Sequence, residues 1–462
     1  MEQKDSNLDV AALHTGRAVI IGLIYVLSSF VGVFFGLNGS NTAVIWPQSG
    51  IALALVLLIG YPALPGIFLG SIAIALLTGV SIPFAGTHAL GNTLAAWFAA
   101  HFIGQQKNFT NRLDNYQSVL SLLFFGMLIA PFISSAINVI GLYSLELAPV
   151  ERLPAIWGER WMRSALGTLI FTPIILVWFG SAFPRLTSRH LIEGGAVMAA
   201  IVVLGLTVFL GDLPYEVVYP ISFLVIPLII WGSIRNNIHI SSVVNFVAGL
   251  FFLWGVARSQ GALFNGNSPS YTTYICVIAT MLVTSMVISA SMEKLSATQK
   301  SLSFLSTHDS LTGLFNRLFF ETEFKRLEKS RQFPISVIMA DIDELKYVND
   351  TFGHRSGDQL LINVAKLFSD IFRQEDIVSR YGGDEFVILL PNTDSAVAKK
   401  VVKRIQSQIN DYNKKHADLP IKISMGVSTA NQGEDLQGHL KNADKLMYEE
   451  KMKRRRKSKE KS

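Results

Sequence analysis

The sequence predicts two bodies of unlike chemistry. A bundle of membrane-spanning α-helices comes first, and a water-soluble domain of alternating helices and strands follows. Three observations carry this. Half of the 462 residues are hydrophobic and mean hydropathy is +0.38, which excludes a disordered chain, a disulfide scaffold and an ordinary soluble enzyme. Charge is segregated: residues 1–290 hold 11 Lys+Arg and 10 Asp+Glu, whereas residues 291–462 hold 29 and 24. Finally, ten apolar stretches free of Asp, Glu, Lys and Arg lie between residues 18 and 290.

Those stretches are 18–37, 44–60, 64–80, 86–104, 119–142, 165–180, 195–210, 217–234, 240–257 and 272–290. A spanning helix needs about 20 residues, with a usual range of about 17–25, so about ten spans are expected, with the shortest stretches marginal. The first is too long, and too soon followed by another, for a cleaved leader. With residues 1–17 cytoplasmic, the inner loops hold Lys4, Arg17, Lys107, Arg112, Arg185, Arg189 and Arg235. The outer loops hold Arg152, Arg160, Arg163 and Arg258, so the positive-inside rule is obeyed. Ten spans return the chain to the cytoplasm near residue 290. The longest outer loop expected, 143–164, is too short for a separate sensor domain, so any signal is read in or at the membrane.

Within the spans, His88, Asn92, His101, Asn138 and Asn245 suit interhelical hydrogen bonding, or else a ligand or redox site. Pro131, Pro173 and Pro227 suit kinks. No ionisable residue is expected in mid-span, which weighs against a transporter. Cys276 is the only cysteine, so neither an intrachain disulfide nor a multi-cysteine metal site is available.

Trp46-Pro47-Gln48-Ser49-Gly50-Ile51-Ala52 leads into an apolar run, Gly91-Asn92-Thr93-Leu94 follows, and Trp161, Gly167 and Pro173 stand in WMRSALGTLIFTP. Together these resemble the first type of the MASE family, integral membrane sensor domains found ahead of signalling enzymes. The resemblance covers residues 18–290.

Residues 291–307 contain no Gly or Pro. Ile288, Met292, Leu295 and Leu302 form a short a/d stripe, read either as a dimer stalk or as a plain extension of the last span.

From residue 308 the pattern alternates. Helices are expected at 318–329, 358–372, 396–412 and 436–451, and strands at 335–340, 377–381, 386–390 and 421–428. After the first helix the order is β-α-β-β-α-β, a split βαβ, ferredoxin-like α+β arrangement. Gly382-Gly383-Asp384-Glu385 joins two strands as a hairpin turn, whose glycines are expected at positive φ with room for a ligand. Asp341 and Asp343 end the first strand, and neighbouring strands would bring them to Asp384 and Glu385. Such carboxylates, without Cys or His, are either solvated turn acids or a site for Mg²⁺ shared with phosphate. No P-loop motif is present.

The motifs His308-Asp309-Ser310-Leu311-Thr312-Gly313-Leu314-Phe315-Asn316-Arg317, Asp341-Ile342-Asp343-Glu344-Leu345-Lys346, Asn349-Asp350, Gly353-His354, Gly357-Asp358 and Arg380-Tyr381-Gly382-Gly383-Asp384-Glu385-Phe386 occur in register. Over residues 307–456 the chain resembles the GGDEF family of diguanylate cyclases, whose fold is nucleotidyl-cyclase-like. The resemblance implies a Mg²⁺ or Mn²⁺ cofactor held by Asp341, the Ile342 carbonyl and Asp384. It implies Asp384 as general base, supported by Glu385, and Lys346 as a phosphate contact that stabilises the transition state. Asn349 and Asp358 would read guanine, and His354, Gly382 and Gly383 would touch substrate. Lys451 and Arg455 would meet phosphate. Arg373 and Asp376, an R-x-x-D placed in register before the hairpin, correspond to a product-inhibition site.

The activity implied is condensation of two GTP into cyclic di-GMP in a homodimer at the bacterial inner membrane, with the lipid bilayer around one part and the other part cytoplasmic. The competing reading is a catalytically silent receptor for GTP or cyclic di-GMP. Residues 451–462 carry eight Lys/Arg against Glu460, so the rest of the soluble part is slightly acidic and no nucleic-acid partner is expected. The basic tail, 457–462, is either a solvated helix end or an attachment to anionic lipid.

Overall fold

A computed structural model of the chain describes residues 2–34, 43–180, 186–211, 213–258, 271–373, 375–416 and 418–459. The chain divides into two units, Met1–Ser296 and Ala297–Ser462.

The first unit is helical. Its elements are α1 (Glu2–Phe34), α2 (Pro47–Ile59), α3 (Leu64–Leu77), α4 (Ile82–Gly104), α5 (Tyr116–Ser121), α6 (Ala130–Ser144), α7 (Leu153–Phe179), α8 (Ser188–Leu210), α9 (Tyr215–Ser222), α10 (Val225–Arg235) and α11 (Ile238–Arg258). The last, α12 (Tyr271–Thr307), carries the final apolar stretch and the connector as one helix. Among the described residues five helices are long and apolar enough to cross a membrane: Tyr116–Ser144, Val150–Phe179, Ser188–Leu210, Ile238–Gly255 and Cys276–Thr307. Shorter apolar helices cover Gly16–Gly32, Pro47–Ile59, Tyr61–Leu77 and Pro220–Arg235. The brevity of α2 has a local cause. Pro47 sets its first turn, and Gly60, at φ 89°, ends it, a conformation L side chains resist.

One expectation is corrected here. The outer loop expected at 143–164 is mostly helix, because α7 starts at Leu153. Glu159, Arg160 and Arg163 therefore lie on a helix inside a candidate span. Hydropathy treats these charges as loop, but Glu159 and Arg163 neutralise each other at 2.9 Å with i,i+4 spacing. Glu193 in α8 likewise accepts from Arg189 and Arg235, each at 2.9 Å. Of the expected loop cations, the side chains of Lys4, Arg185 and Arg258 lie outside the described residues.

The quoted glycines bring helices together. A Cβ on Gly167 would stand 1.9 Å from the Trp46 carbonyl oxygen, and one on Gly50 would stand 2.2 Å from the Gly167 oxygen. α2 and α7 thus touch backbone to backbone, as small residues permit in membranes. Thr172 Oγ1 donates to the Gly50 carbonyl at 2.9 Å. Polar side chains join other helices: His88 Nδ1 and Asn138 Oδ1 are 2.8 Å apart, Asn92 Nδ2 donates to Tyr25 Oη at 2.9 Å, and Ser134 Oγ donates to Asn92 Oδ1 at 2.7 Å. Asn245 Oδ1 accepts from Ser285 at 2.7 Å. Pro131 begins α6 directly after a π-helical stretch, Leu122–Ile129, and Pro173 lies inside α7. Both are recognised causes of helix irregularity.

The second unit adds α13 (Arg317–Glu328), β1 (Ile335–Ile342), α14 (Leu345–Phe352), α15 (His354–Ile371), β2 (Ile377–Arg380), β3 (Glu385–Leu390), α16 (Ser395–Lys415), β4 (Ile423–Ala430) and α17 (Leu436–Lys459). The sheet is antiparallel in the order β2-β3-β1-β4. Central β1 is buried at every position. Ile338, Ala340 and Ile342 join a core with Leu360, Val364 and Phe368 of α15, while Ile335, Val337 and Met339 join another with Phe320 of α13 and Leu440 of α17. Burial of both faces explains why β1 reads as a continuous apolar run. The helix expected at 358–372 starts at His354, and α14 was not anticipated. It has eight residues, none of them fully buried, although Leu345, Val348 and Phe352 fall at helical spacing and Leu345 and Val348 pack against the core. Side chains of the tail from 457, and residues 460–462 altogether, lie outside the described residues.

Candidate active site

The acids meet because β1 and β3 are neighbours. Asp341 stands opposite Glu385 in the β1–β3 register, and the Ile342 N–H donates to the Asp384 carbonyl at 3.0 Å. Burial, then the charge of Asp384, raises the Asp341 carboxyl above the ordinary carboxylate range, against the hydrogen bond from Lys451. Burial followed by Asp341 and Asp384 raises Glu385 as well.

A cation already sits among them. Lys451 Nζ of α17 lies 2.5 Å from Asp341 Oδ1, and Asp341 is almost wholly buried. Asp343 accepts from Ser424 Oγ at 2.9 Å and faces Arg454 at 3.6 Å. Arg454 also reaches Glu450 at 2.7 Å. No group of three or more Asp, Glu, His or Cys among the described residues forms a ready metal cage. The set present is two carboxylates and the Ile342 carbonyl with an ammonium on one of them. All are hard oxygen donors, and that donor set fits Mg²⁺ or Mn²⁺, which retains water and phosphate ligands.

The turn is held from outside. Arg380 Nη2 and Nε donate to the Gly383 carbonyl at 2.8 and 3.2 Å, and Arg380 Nη1 donates to Asp309 Oδ1 at 3.1 Å. Asp309 also accepts from Thr312 Oγ1 at 2.6 Å. Burial alone would raise the Asp309 carboxyl, but the Thr312 donors and Arg380 outweigh it and hold it below its ordinary value. The expectation of positive φ at the hairpin glycines is corrected: neither Gly382 nor Gly383 has it. Tyr381 and Gly382 N–H groups close the turn on the Glu385 carbonyl, at 2.8 and 3.3 Å, in ordinary backbone conformations. What glycine supplies is space, since a Cβ on Gly382 would stand 3.0 Å from Glu385 Oε2.

A second group forms at the α14–α15 junction. A Cβ on Gly357 would lie 1.9 Å from Asn349 Oδ1, so Gly357 lets the Asn349 amide lie against the first turn of α15, beside exposed Asp358. Lys346 and His354 are exposed at the starts of α14 and α15. Arg455 is exposed on α17, with no hydrogen bond or ion pair among the described residues. Arg373 and Asp376 are not part of this gathering. They precede β2, at the end of that strand remote from the turn, where Asp376 accepts from the Arg373 N–H at 2.9 Å. There they line a groove of about 920 Å³ with Arg326, Lys400 and Arg404. Arg380, Ser424 and Arg454 were missed as site residues. The pairing of Asp309 with Arg380 was foreshadowed only by their places in two quoted motifs.

Residues 17–295 match the MASE1 family, which is more than half of the chain. The chain belongs to the MASE1 family. Residues 306–457 match the family described as diguanylate cyclase, GGDEF domain. The chain is 37% identical over 146 residues to diguanylate cyclase DosC of Escherichia coli strain K12, covering 30% of this chain and 32% of that one. The MASE1 chain thus spans about a third of the length of that relative. It is 23% identical over 349 residues to "Probable diguanylate cyclase DgcF" of Escherichia coli O157:H7, covering 73% of this chain and 72% of the relative. Among solved structures, the coiled coil and GGDEF domain of DgcB from Caulobacter crescentus, in complex with c-di-GMP, is 27% identical with a TM-score of 0.32, over 34% of this chain and 87% of that one.

Proposed function

We propose that this MASE1 protein is a diguanylate cyclase that condenses two GTP into cyclic di-GMP and two pyrophosphates. The observation that carries the reading is the meeting of Asp341 with Asp384 and Glu385 across β1 and β3, below an undegraded Gly-Gly-Asp-Glu-Phe turn. Asn349 and Asp358 offer an amide and a carboxylate to the donor and acceptor edge of guanine. Lys346, Lys451 and Arg455 supply positive charge for the triphosphate. Lys451 reaches the triphosphate by leaving Asp341. Asp384 accepts the proton of the ribose 3′-hydroxyl as that oxygen bonds to the α-phosphorus of the other GTP. The bond from that phosphorus to pyrophosphate breaks, and a second identical attack closes the ring. Asp341, the Ile342 carbonyl and Asp384 would hold a divalent metal, which supplies Lewis-acid neutralisation of phosphate charge when bound.

Each domain holds one GTP, so two copies must face each other. Leu295, Leu302, Phe304 and Leu305 are exposed on α12, which supports a paired stalk. Arg373 and Asp376 form the product-inhibition site. The MASE1 unit sits in the bacterial inner membrane, with the catalytic domain cytoplasmic and under control of a signal read by the helices. The test is turnover of labelled GTP by the full chain in lipid nanodiscs, compared with Asp384→Ala. GTP binding without product would instead mark a silent receptor.

A further inference from the structure

Four helices of the first unit meet at a positive charge that makes no ion pair among the described residues. Trp46 caps α2, Phe84 and His88 lie in the first two turns of α4, Asn138 lies in the last two turns of α6, and Arg160 lies two turns into α7. The Arg160 guanidinium carbon sits 5.2 Å from the Trp46 ring centroid and 5.7 Å from that of Phe84, within the range of cation–π attraction. Among the described residues its one hydrogen bond runs from Nη1 to Asn138 Oδ1, and at 3.5 Å it is weak. That oxygen already faces His88 Nδ1 at 2.8 Å.

Among the described residues no acid forms an ion pair with Arg160, although the charge of Glu159 acts on it. Glu159, next in sequence, is engaged by Arg163 at 2.9 Å. Behind Arg160 the network is neutral throughout. Asn92 Nδ2 can only donate to His88 Nε2, 3.1 Å away, which leaves the proton of an uncharged imidazole on Nδ1 facing Asn138. Asn92 then leads on to Tyr25 and Ser134. A guanidinium has five N–H donors in a planar fork, and among the described residues only one of them here has a partner, on a side chain that is partly exposed.

We propose that Arg160, backed by Trp46 and Phe84, is the receptor for an oxyanion, a carboxylate or phosphate group, at this end of the helical unit. The fork matches either group bidentately. The same chemistry can come from a free anion or from a lipid headgroup. The assignment does not rest on the cyclase reading, and its test does not use GTP.

All seven tryptophans lie within residues 1–290, so tryptophan fluorescence reports on this unit alone. The full chain in phosphatidylcholine nanodiscs is titrated with inorganic phosphate and with acetate, against chloride at equal ionic strength. A parallel sample replaces part of the lipid with phosphatidylglycerol and receives no added anion. A saturable fluorescence change or raised melting point beyond the chloride control identifies a free oxyanion. The same change only with phosphatidylglycerol identifies a headgroup. In either case Arg160→Gln should weaken the response at least about tenfold, the scale of a lost charge-assisted pair. Arg160→Lys, which keeps the charge without the fork, should fall between, and it carries the comparison if Arg160→Gln fails to fold. A wild type indistinguishable from chloride in both arms, or variants that respond like wild type, would overturn the proposal.

Discussion

At the scale of single residues, the turn that carries Asp384 is held by Arg380 and Asp309, which lie outside it. Arg380 spans the Gly383 carbonyl and Asp309, so it holds both ends of the geometry. Because the Asp309 carboxyl is held below its ordinary value, its stabilising effect is complete above the usual carboxylate range. That effect is lost as pH falls through the depressed value. Asp309→Asn should therefore lower the stability of the second unit by about 1.5–3 kcal/mol near neutrality, the typical worth of a hydrogen bond to a charged group. The deficit should shrink as pH falls. Melting curves of wild type and variant across that range check this, and a constant difference at all pH values would contradict the ion-pair account. The motifs made Asp341, Asp384 and Asn349 legible in the sequence. They could not show that Lys451 rests on Asp341, because that contact joins residues 110 positions apart and depends on how α17 packs beside β1.

At the scale of elements, the strands were legible because burial on both sheet faces leaves an unbroken apolar run. Helix α14 was not, because its apolar residues Leu345, Val348 and Phe352 keep helical spacing over only eight residues. The start of α7 was misjudged for a different reason. A charge count sees Glu159, Arg160 and Arg163 as loop, whereas an i,i+4 ion pair and two aromatic faces accommodate them on a helix. Two predictions belong here. Arg373→Ala should relieve inhibition by added cyclic di-GMP while leaving initial turnover largely intact, because Arg373 sits at the far end of β2 from the turn. A product titration that inhibits variant and wild type equally would remove the site from the account. The connector part of α12 should set activity through its helical phase. Four inserted residues turn a helix about 40° past a full turn, and seven turn it about −20°. The seven-residue insertion should retain more activity at matched membrane insertion. Equal output from both, and from a Gly-Ser replacement, would make the segment a passive tether.

At the scale of the whole molecule, a membrane unit whose polar side chains hydrogen-bond to one another is joined through one helix to a domain that brings Asp341, Asp384 and Glu385 together. The division was visible in charge alone, with 21 charged residues before position 291 and 53 after it. How many of the apolar stretches cross the bilayer was not, because Pro47 and Gly60 shorten α2 without changing its hydropathy. The claim on which the rest depends is that the two half-sites make cyclic di-GMP. The direct measurement incubates the full chain in nanodiscs with labelled GTP and Mg²⁺, separates the nucleotides, and repeats this with Asp384→Ala. The account predicts cyclic di-GMP and pyrophosphate in a 1:2 ratio from wild type. It predicts at least about a hundredfold less from the variant, the scale of losing a general base. Bound GTP with no product from wild type, or turnover near wild type in Asp384→Ala, would contradict it.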